Sequence, residues 1–125
     1  MKLPASALAL ALAFAPMASF AHGEPPPASH GGLVVEGGEM FLELVVKGTD
    51  VTVYVLDEGR KPVPGTQATG TATVLVEGKA HKVELTAADG NSVRGTLPVA
   101  ASGRIVATVS LKIAGKPVTA RFTPA

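Results

Sequence analysis

Residues 104–113 read RIVATVSLKI, a stretch in which Ile105, Ala107, Val109, Leu111 and Ile113 alternate with Arg104, Thr108, Ser110 and Lys112. Side chains on a strand point alternately to its two faces, so the apolar set shares one side and the polar set the other. On a helix, residues two apart fall on nearly opposite sides, and the same text would leave no apolar stripe. The segment is therefore a strand with one dry face and one wet face. Ala114–Lys116 turns the chain into Pro117–Phe122, where Val118, Ala120 and Phe122 again share a face.

The same alphabet runs upstream. Met40–Val46 is apolar almost throughout, and Val51, Val53 and Val55 alternate with Thr52, Tyr54 and Leu56, with Lys47–Asp50 as the turn between the two runs. Asp57–Gly65 (DEGRKPVPG) is turn chemistry, dense in Gly and Pro. Gly70–Glu77 and Lys79–Thr86 flank Gly78 as a hairpin, and the turn Asp89-Gly90-Asn91 leads into a short strand around Ser92–Leu97. Ala100–Ser102 is too short for a helix and is bounded by Pro98 and Gly103. The expected fold is all-β: a single antiparallel β-sandwich of about seven strands, immunoglobulin-like, with a small barrel as the alternative. The chain has no Cys and no Trp, so the expectation is architectural and does not include the disulfide-and-Trp core of antibody domains.

The first 21 residues read as a secretory signal peptide. Lys2 is the positive head, Leu3–Phe14 an uncharged apolar run, and Ser19 and Ala21 the small residues that a signal peptidase reads. Pro16 sits badly for cleavage after Ala15 or Ala18, which leaves the Ala21–His22 bond as the expected cut. A membrane span needs about 20 continuous apolar residues, and this run is shorter and interrupted by proline. The expected organisation is a leader at 1–21, a flexible Pro/Gly arm at 22–32 (HGEPPPASHGG) and the β-sandwich domain at 33–125. The expected location is the periplasm or the exterior, with no membrane insertion once the leader is removed.

Without the leader, about 104 residues remain, enough for one domain and a modest core. Losing Lys2 leaves ten basic and ten acidic residues, scattered along the chain. That balance provides no electrostatic footprint for nucleic acid or an anionic membrane.

Catalysis is hard to seat on these residues. Ser92, Ser102 and Ser110 occupy turn or strand contexts without a nucleophile elbow. No Gly-rich phosphate cradle opens a helix. The nearest carboxylate pairs, Glu36/Glu39 and Asp57/Glu58, read as solvated turn charges. A non-enzymatic protein is expected.

The histidines carry more information. Cleavage before His22 creates a free α-amine next to an imidazole, two nitrogens that can chelate one metal ion. With a backbone amide and His30, they would form the nitrogen-rich plane that Cu(II) prefers. The α-amine titrates at about 7.7–8.0, so freeing it near neutrality costs little. His22 and His30 are therefore the candidate metal ligands, and Cu(II) the candidate ion. His30 also has a bland reading, in which its ring packs against the end of the sandwich as the first strand begins. His81 shares a strand face with Val83 and Leu85 and reads as a half-buried, hydrogen-bonded side chain. Met40 reads as core filler, and Phe41 and Tyr54 as sandwich core.

Several segments resemble known families. His30-Gly31-Gly32, then Phe41-Leu42-Glu43-Leu44-Val45, Val53-Tyr54-Val55 and Lys61-Pro62-Val63, resemble small exported proteins of Gram-negative bacteria. The same progression is similar to the N-terminal portion of periplasmic adaptor (membrane-fusion) subunits of heavy-metal efflux pumps. The long helical hairpin and lipoyl-like domain of those adaptors have no counterpart here. The resemblance thus implies a stand-alone relative of one module, with a metal-efflux system or another envelope protein as partner. Some exported copper-resistance sandwich proteins also begin with a ligand His, a likeness confined to His22. Asp57–Gly65 followed by Thr71–Val76 is similar to the Gly-x-Pro-Val loop of carbohydrate-binding and carboxypeptidase-associated sandwich modules, where it marks a strand connection. The function expected is transition-metal binding for buffering or delivery to efflux. A metal-free interaction or structural module that docks an envelope partner is the alternative.

Overall fold

The computed structural model describes residues 24–101 and 105–124. The leader at 1–21, its cleavage point and His22 lie outside the described residues, as does Arg104. Eight strands follow one another: β1 Leu33–Gly37, β2 Met40–Lys47, β3 Asp50–Leu56, β4 Ala68–Val76, β5 Lys79–Ala87, β6 Ser92–Thr96, β7 Val106–Ile113 and β8 Lys116–Phe122. The helical element among the described residues is a single 3-10 turn at Gly65–Gln67. No helix among the described residues is long and apolar enough to cross a membrane.

All pairings are antiparallel, and the strands form one sheet in the order β1-β2-β3-β6-β5-β4-β7-β8. Hairpins account for most neighbours. The two departures are β3 against β6 and β4 against β7. Each makes a Greek key around the shared run β4-β5-β6, since three hairpin-linked strands have a fourth returning beside them. β5 is the hinge of the sheet: Lys79–Leu85 pairs with β4, and Thr86 and Ala87 pair with Arg94 and Val93 of β6. The sheet curls until its two edge strands meet, with Gly37 of β1 against Thr119 and Ala120 of β8. The result is a nearly closed sheet of eight strands where about seven were expected. The strand left out of that expectation is β1.

Alternation fixes what faces inward. Val51, Val53 and Val55 of β3, together with Ala107, Val109, Leu111 and Ile113 of β7, are buried, as period two requires. Val118, Ala120 and Phe122 of β8 close the interior from the other edge. An eight-stranded roll is only just wide enough for side chains to fill it. Val, Ala and Leu therefore dominate, and Phe122 is the one aromatic residue in the central cluster. Met40 packs against that cluster, half-buried, as expected.

Tight turns hold the register. Glu77 and Gly78 between β4 and β5 have φ of 51° and 81°, and Ala114 and Gly115 between β7 and β8 have 50° and 84°. Two central residues with positive φ define the type I′ turn, whose twist matches that of the flanking strands. The Asp57–Lys61 turn is clamped by Asp57, whose Oδ1 accepts from the Lys61 amide at 2.9 Å while its amide donates to the Lys61 carbonyl at 2.8 Å. Glu36 differs from expectation: it lies inside β1 and is half-buried, not a solvated turn charge.

Candidate functional site

On β2 and β3 the strand parity that sends Leu42, Leu44, Val53 and Val55 inward sends Phe41, Glu43, Tyr54 and Leu56 to the outer face. Phe41 pairs with Leu56 and Glu43 with Tyr54 across the β2–β3 ladder. An outer face bearing Phe and Leu would expose apolar area to water. Here residues 24–32 lie across it. Pro26 and Pro27 close over Phe41 and Leu56, leaving a cavity of only about 30 Å³. Phe41 is 1% exposed without belonging to the central core. Phe41 and Tyr54 were expected in the core, and parity puts both beneath the N-terminal segment instead. Arg60 fastens the start of that segment. Its Nη2 donates to the Glu24 carbonyl at 2.7 Å, and its guanidinium lies 5.9 Å from the Phe41 ring centre, within cation–π range.

Glu43 fastens the other end. Its side chain is 7% exposed. Oε2 accepts from the amides of His30 (2.8 Å) and Gly32 (2.9 Å), and Oε1 accepts from the His30 ring Nδ1 (2.9 Å) and the Ser29 amide (3.3 Å). Burial alone would raise the carboxyl pKa. The His30 ring and the three amides outweigh it, so the pKa falls below the ordinary 4.5 and the group stays ionised. Hydrogen bonds to a buried charge are each worth about 1.5–3 kcal/mol, more than neutral ones.

The His30 ring lies flat on Tyr54, with centroids 3.6 Å apart and planes within 1°. An ionised carboxylate can only accept, so Nδ1 carries the proton that faces Glu43. In the neutral ring the lone pair is then on Nε2, and the side chain is 41% exposed. A carboxylate behind one nitrogen and an accessible lone pair on the other is the arrangement of a metal-ligating histidine and its supporting carboxylate. The stack adds about 0.5–1.5 kcal/mol. Tyr54→Leu is accordingly expected to destabilise the protein by about 1 kcal/mol in urea unfolding and to shift the His30 ring-proton resonances, because the ring current is lost.

No known protein family, curated protein or solved structure matches the chain. What the site can do thus has to come from its own geometry.

Of the two candidate ligands, His30 is held by Glu43 and Tyr54, and His22 is outside the described residues. Among the described residues, no three His, Cys, Asp or Glu side chains come together as a metal cage. His81 is half-buried on β5 as expected, but it takes no hydrogen-bond partner among the described residues and lines a cavity with Val76, Glu77, Lys79, Val99 and Ala100. Glu43 and Tyr54 are functional neighbours that the motif reading did not assign. One signal for Glu43 was present: a single charge in an apolar strand must be paired if it is buried. Its partner, 13 residues away along the chain, left no such sign.

Proposed function

We propose that this protein is exported through its first 21 residues and binds a transition-metal ion, Cu(II) by preference, through His30 and His22, for buffering or delivery to an efflux partner. The observation carrying this reading is the 2.9 Å contact between His30 Nδ1 and Glu43, which turns Nε2 into the outward-facing ligand. A supporting carboxylate raises imidazole basicity and fixes the ring, and removing such a group costs about 10–100-fold in metal affinity. Imidazole suits Cu(II), which takes nitrogen and oxygen donors in a tetragonal plane. One His is too few, and the amine and ring of His22 are the donors to complete the set.

The strand order supports an immunoglobulin-like reading of the β fold. With β1 set aside, β2-β3-β6-β5 corresponds to an A-B-E-D sheet and β4-β7-β8 to a C-F-G sheet, with β5 also paired to β4.

Calorimetric titration of the processed protein with Cu(II) near neutral pH should give one site. His30→Ala and His22→Ala should each weaken it by at least about tenfold, and His81→Ala should leave it unchanged. Equal affinity in wild type, His30→Ala and His22→Ala would sink the proposal.

A second reading rests on the seam between the edge strands. An apolar groove of about 410 Å³ opens there, lined by Leu33, Val46, Ile105, Phe122 and their neighbours. Unpaired strand edges bordering such a groove suit docking by strand addition. That reading predicts a cross-linked envelope partner whose recovery does not depend on metal.

A further inference from the structure

Beyond residue 21 the chain has three Phe, Tyr or Trp side chains, Phe41, Tyr54 and Phe122, and two of them stand on the outer face of β2 and β3. What lies over them has a definite chemistry. Glu24, Pro25 and Pro26 each precede a proline, which disfavours helical backbone and leaves the extended or polyproline II form. Residues 25–28 accordingly form no helix, strand or turn. A polyproline II segment makes no internal hydrogen bonds, so its carbonyls need donors from the surface beneath. Arg60 is such a donor, holding the Glu24 carbonyl while its guanidinium lies by the Phe41 ring. It does so with φ of 66°, in the left-handed region that favours Gly. Prolines on an aromatic-lined groove are one of the recurring ways in which one protein recognises a segment of another.

We propose that this groove docks an extended, proline-rich segment of another protein, and that residues 24–32 are its resident competitor. The arm leaves part of the path unused. It covers Phe41 and Leu56, reaches Tyr54 with His30, and then turns at Gly31 (φ 78°) into β1, where Leu33 pairs back with Leu44. Beyond Tyr54 the same face continues as a trough of about 270 Å³ bordered by Lys47, Asp50, Thr52 and Arg94. Its walls carry both signs of charge, so it suits polar residues that both donate and accept. A segment not joined to β1 can run straight on and bond along that trough, which the arm cannot do. Those added contacts are what let it displace an arm whose effective concentration is of about millimolar order. A second copy of this chain would bring only the same arm and gain nothing by exchange. This docking needs neither a bound metal nor the seam between the edge strands.

The probe is a labelled peptide, EPPPASHSTST, which copies residues 24–30 and continues with polar residues in place of Gly31-Gly32. Fluorescence polarisation measures its binding to the full processed chain, and proton resonances report where it sits. Wild type should bind it weakly. The double variant Pro26→Ser/Pro27→Ser loosens the chain's own arm and leaves the groove intact. It should bind at least about tenfold more tightly, with shifts at Phe41, Tyr54 and Leu56. In that background Arg60→Gln should lose about fivefold, and a peptide with Ala for its three prolines at least about tenfold. EPPPASHGG, which stops short of the trough, should bind about fivefold more weakly than the longer peptide. If the double variant binds no better than wild type, or the Ala peptide binds as well as the proline one, the arm is a cover and not a competitor, and the inference is overturned. Equal binding of the short and long peptides also overturns it, because nothing then favours a foreign segment over the arm. So does a wild-type dimer that the peptide dissolves, since the occupant is then a second copy of this chain.

Discussion

Glu43→Ala is expected to lower the unfolding free energy by about 2–4 kcal/mol and to free residues 24–32 from the outer face. The substitution removes the acceptor from the amides of Ser29, His30 and Gly32 and from the His30 ring. Donors left unsatisfied while buried cost about 1–3 kcal/mol each. The sum is capped, because the segment can lift away and hydrate its amides. The cost is then the lost docking, including the cover over Phe41 and Leu56. Glu43→Gln keeps the shape but turns an NH₂ towards amides that need an acceptor, so it should recover little of the loss. Hydrogen exchange at the His30 and Gly32 amides separates this from a general weakening: those amides should lose protection while the β7 amides keep theirs. Slow exchange at His30 in Glu43→Ala would show that the carboxylate does not hold the segment.

The same anchor gives stability a pH dependence with a definite sign. Burial raises the Glu43 pKa, but the four hydrogen bonds together lower it by more, for a net folded value below 4.5. A carboxyl whose pKa is depressed on folding contributes stability that is fully present above its unfolded value. The contribution fades as pH falls below about 4.5 and is gone once pH passes through the depressed folded value. Wild type should therefore lose part of its stability over that acid window, and Glu43→Gln should lose less there. Parallel denaturant melts between neutral pH and pH 3 make the comparison.

How much of this was legible in the sequence depends on whether a signal was local. β7 and β8 were readable because one face of each is dry and the other wetter, and β3 because Val51, Val53 and Val55 recur at every second position, so parity shows in the text. Parity also gave away Phe41, one residue out of step with Leu42 and Leu44, and Tyr54, out of step with Val53 and Val55. Both were expected in the sandwich core, but the strand geometry decides. β1 was harder: LVVEG is five residues long and apolar residues fall on both of its faces, so no alternation marks it. The closure of the sheet depends on Gly37 meeting Thr119 and Ala120, a contact between opposite ends of the chain that no window can contain. The site is split in the same way. His30-Gly31-Gly32 and the charge at Glu43 each stand out locally, whereas the bond between them exists only after the segment folds back over β2.

Gly70 separates local propensity from the folded arrangement most sharply. Read locally, it begins a strand, where a glycine marks the boundary. By strand propensity, replacing it with Ala or Val should help, since Gly inside a strand costs roughly 0.5–1 kcal/mol relative to Ala. In the structure β4 starts two residues earlier, and Gly70 is an interior position paired with Leu85 on one side and Leu111 on the other. A Cβ there would overlap the Ser110 carbonyl oxygen and press on the Leu111 Cα, both backbone atoms of β7. Side-chain rotation cannot relieve such an overlap, so the central β4–β7 ladder would have to open. Gly70→Ala is therefore expected to cost more than about 3 kcal/mol, and Gly70→Val at least as much, because the first added carbon already makes the clash. Thr69→Val, one residue away on the exposed face, should stay within about 0.5 kcal/mol of wild type. Chemical denaturation of the three variants decides it: a neutral or stabilising Gly70→Ala would mean that β4 and β7 do not approach as closely as the structure has them.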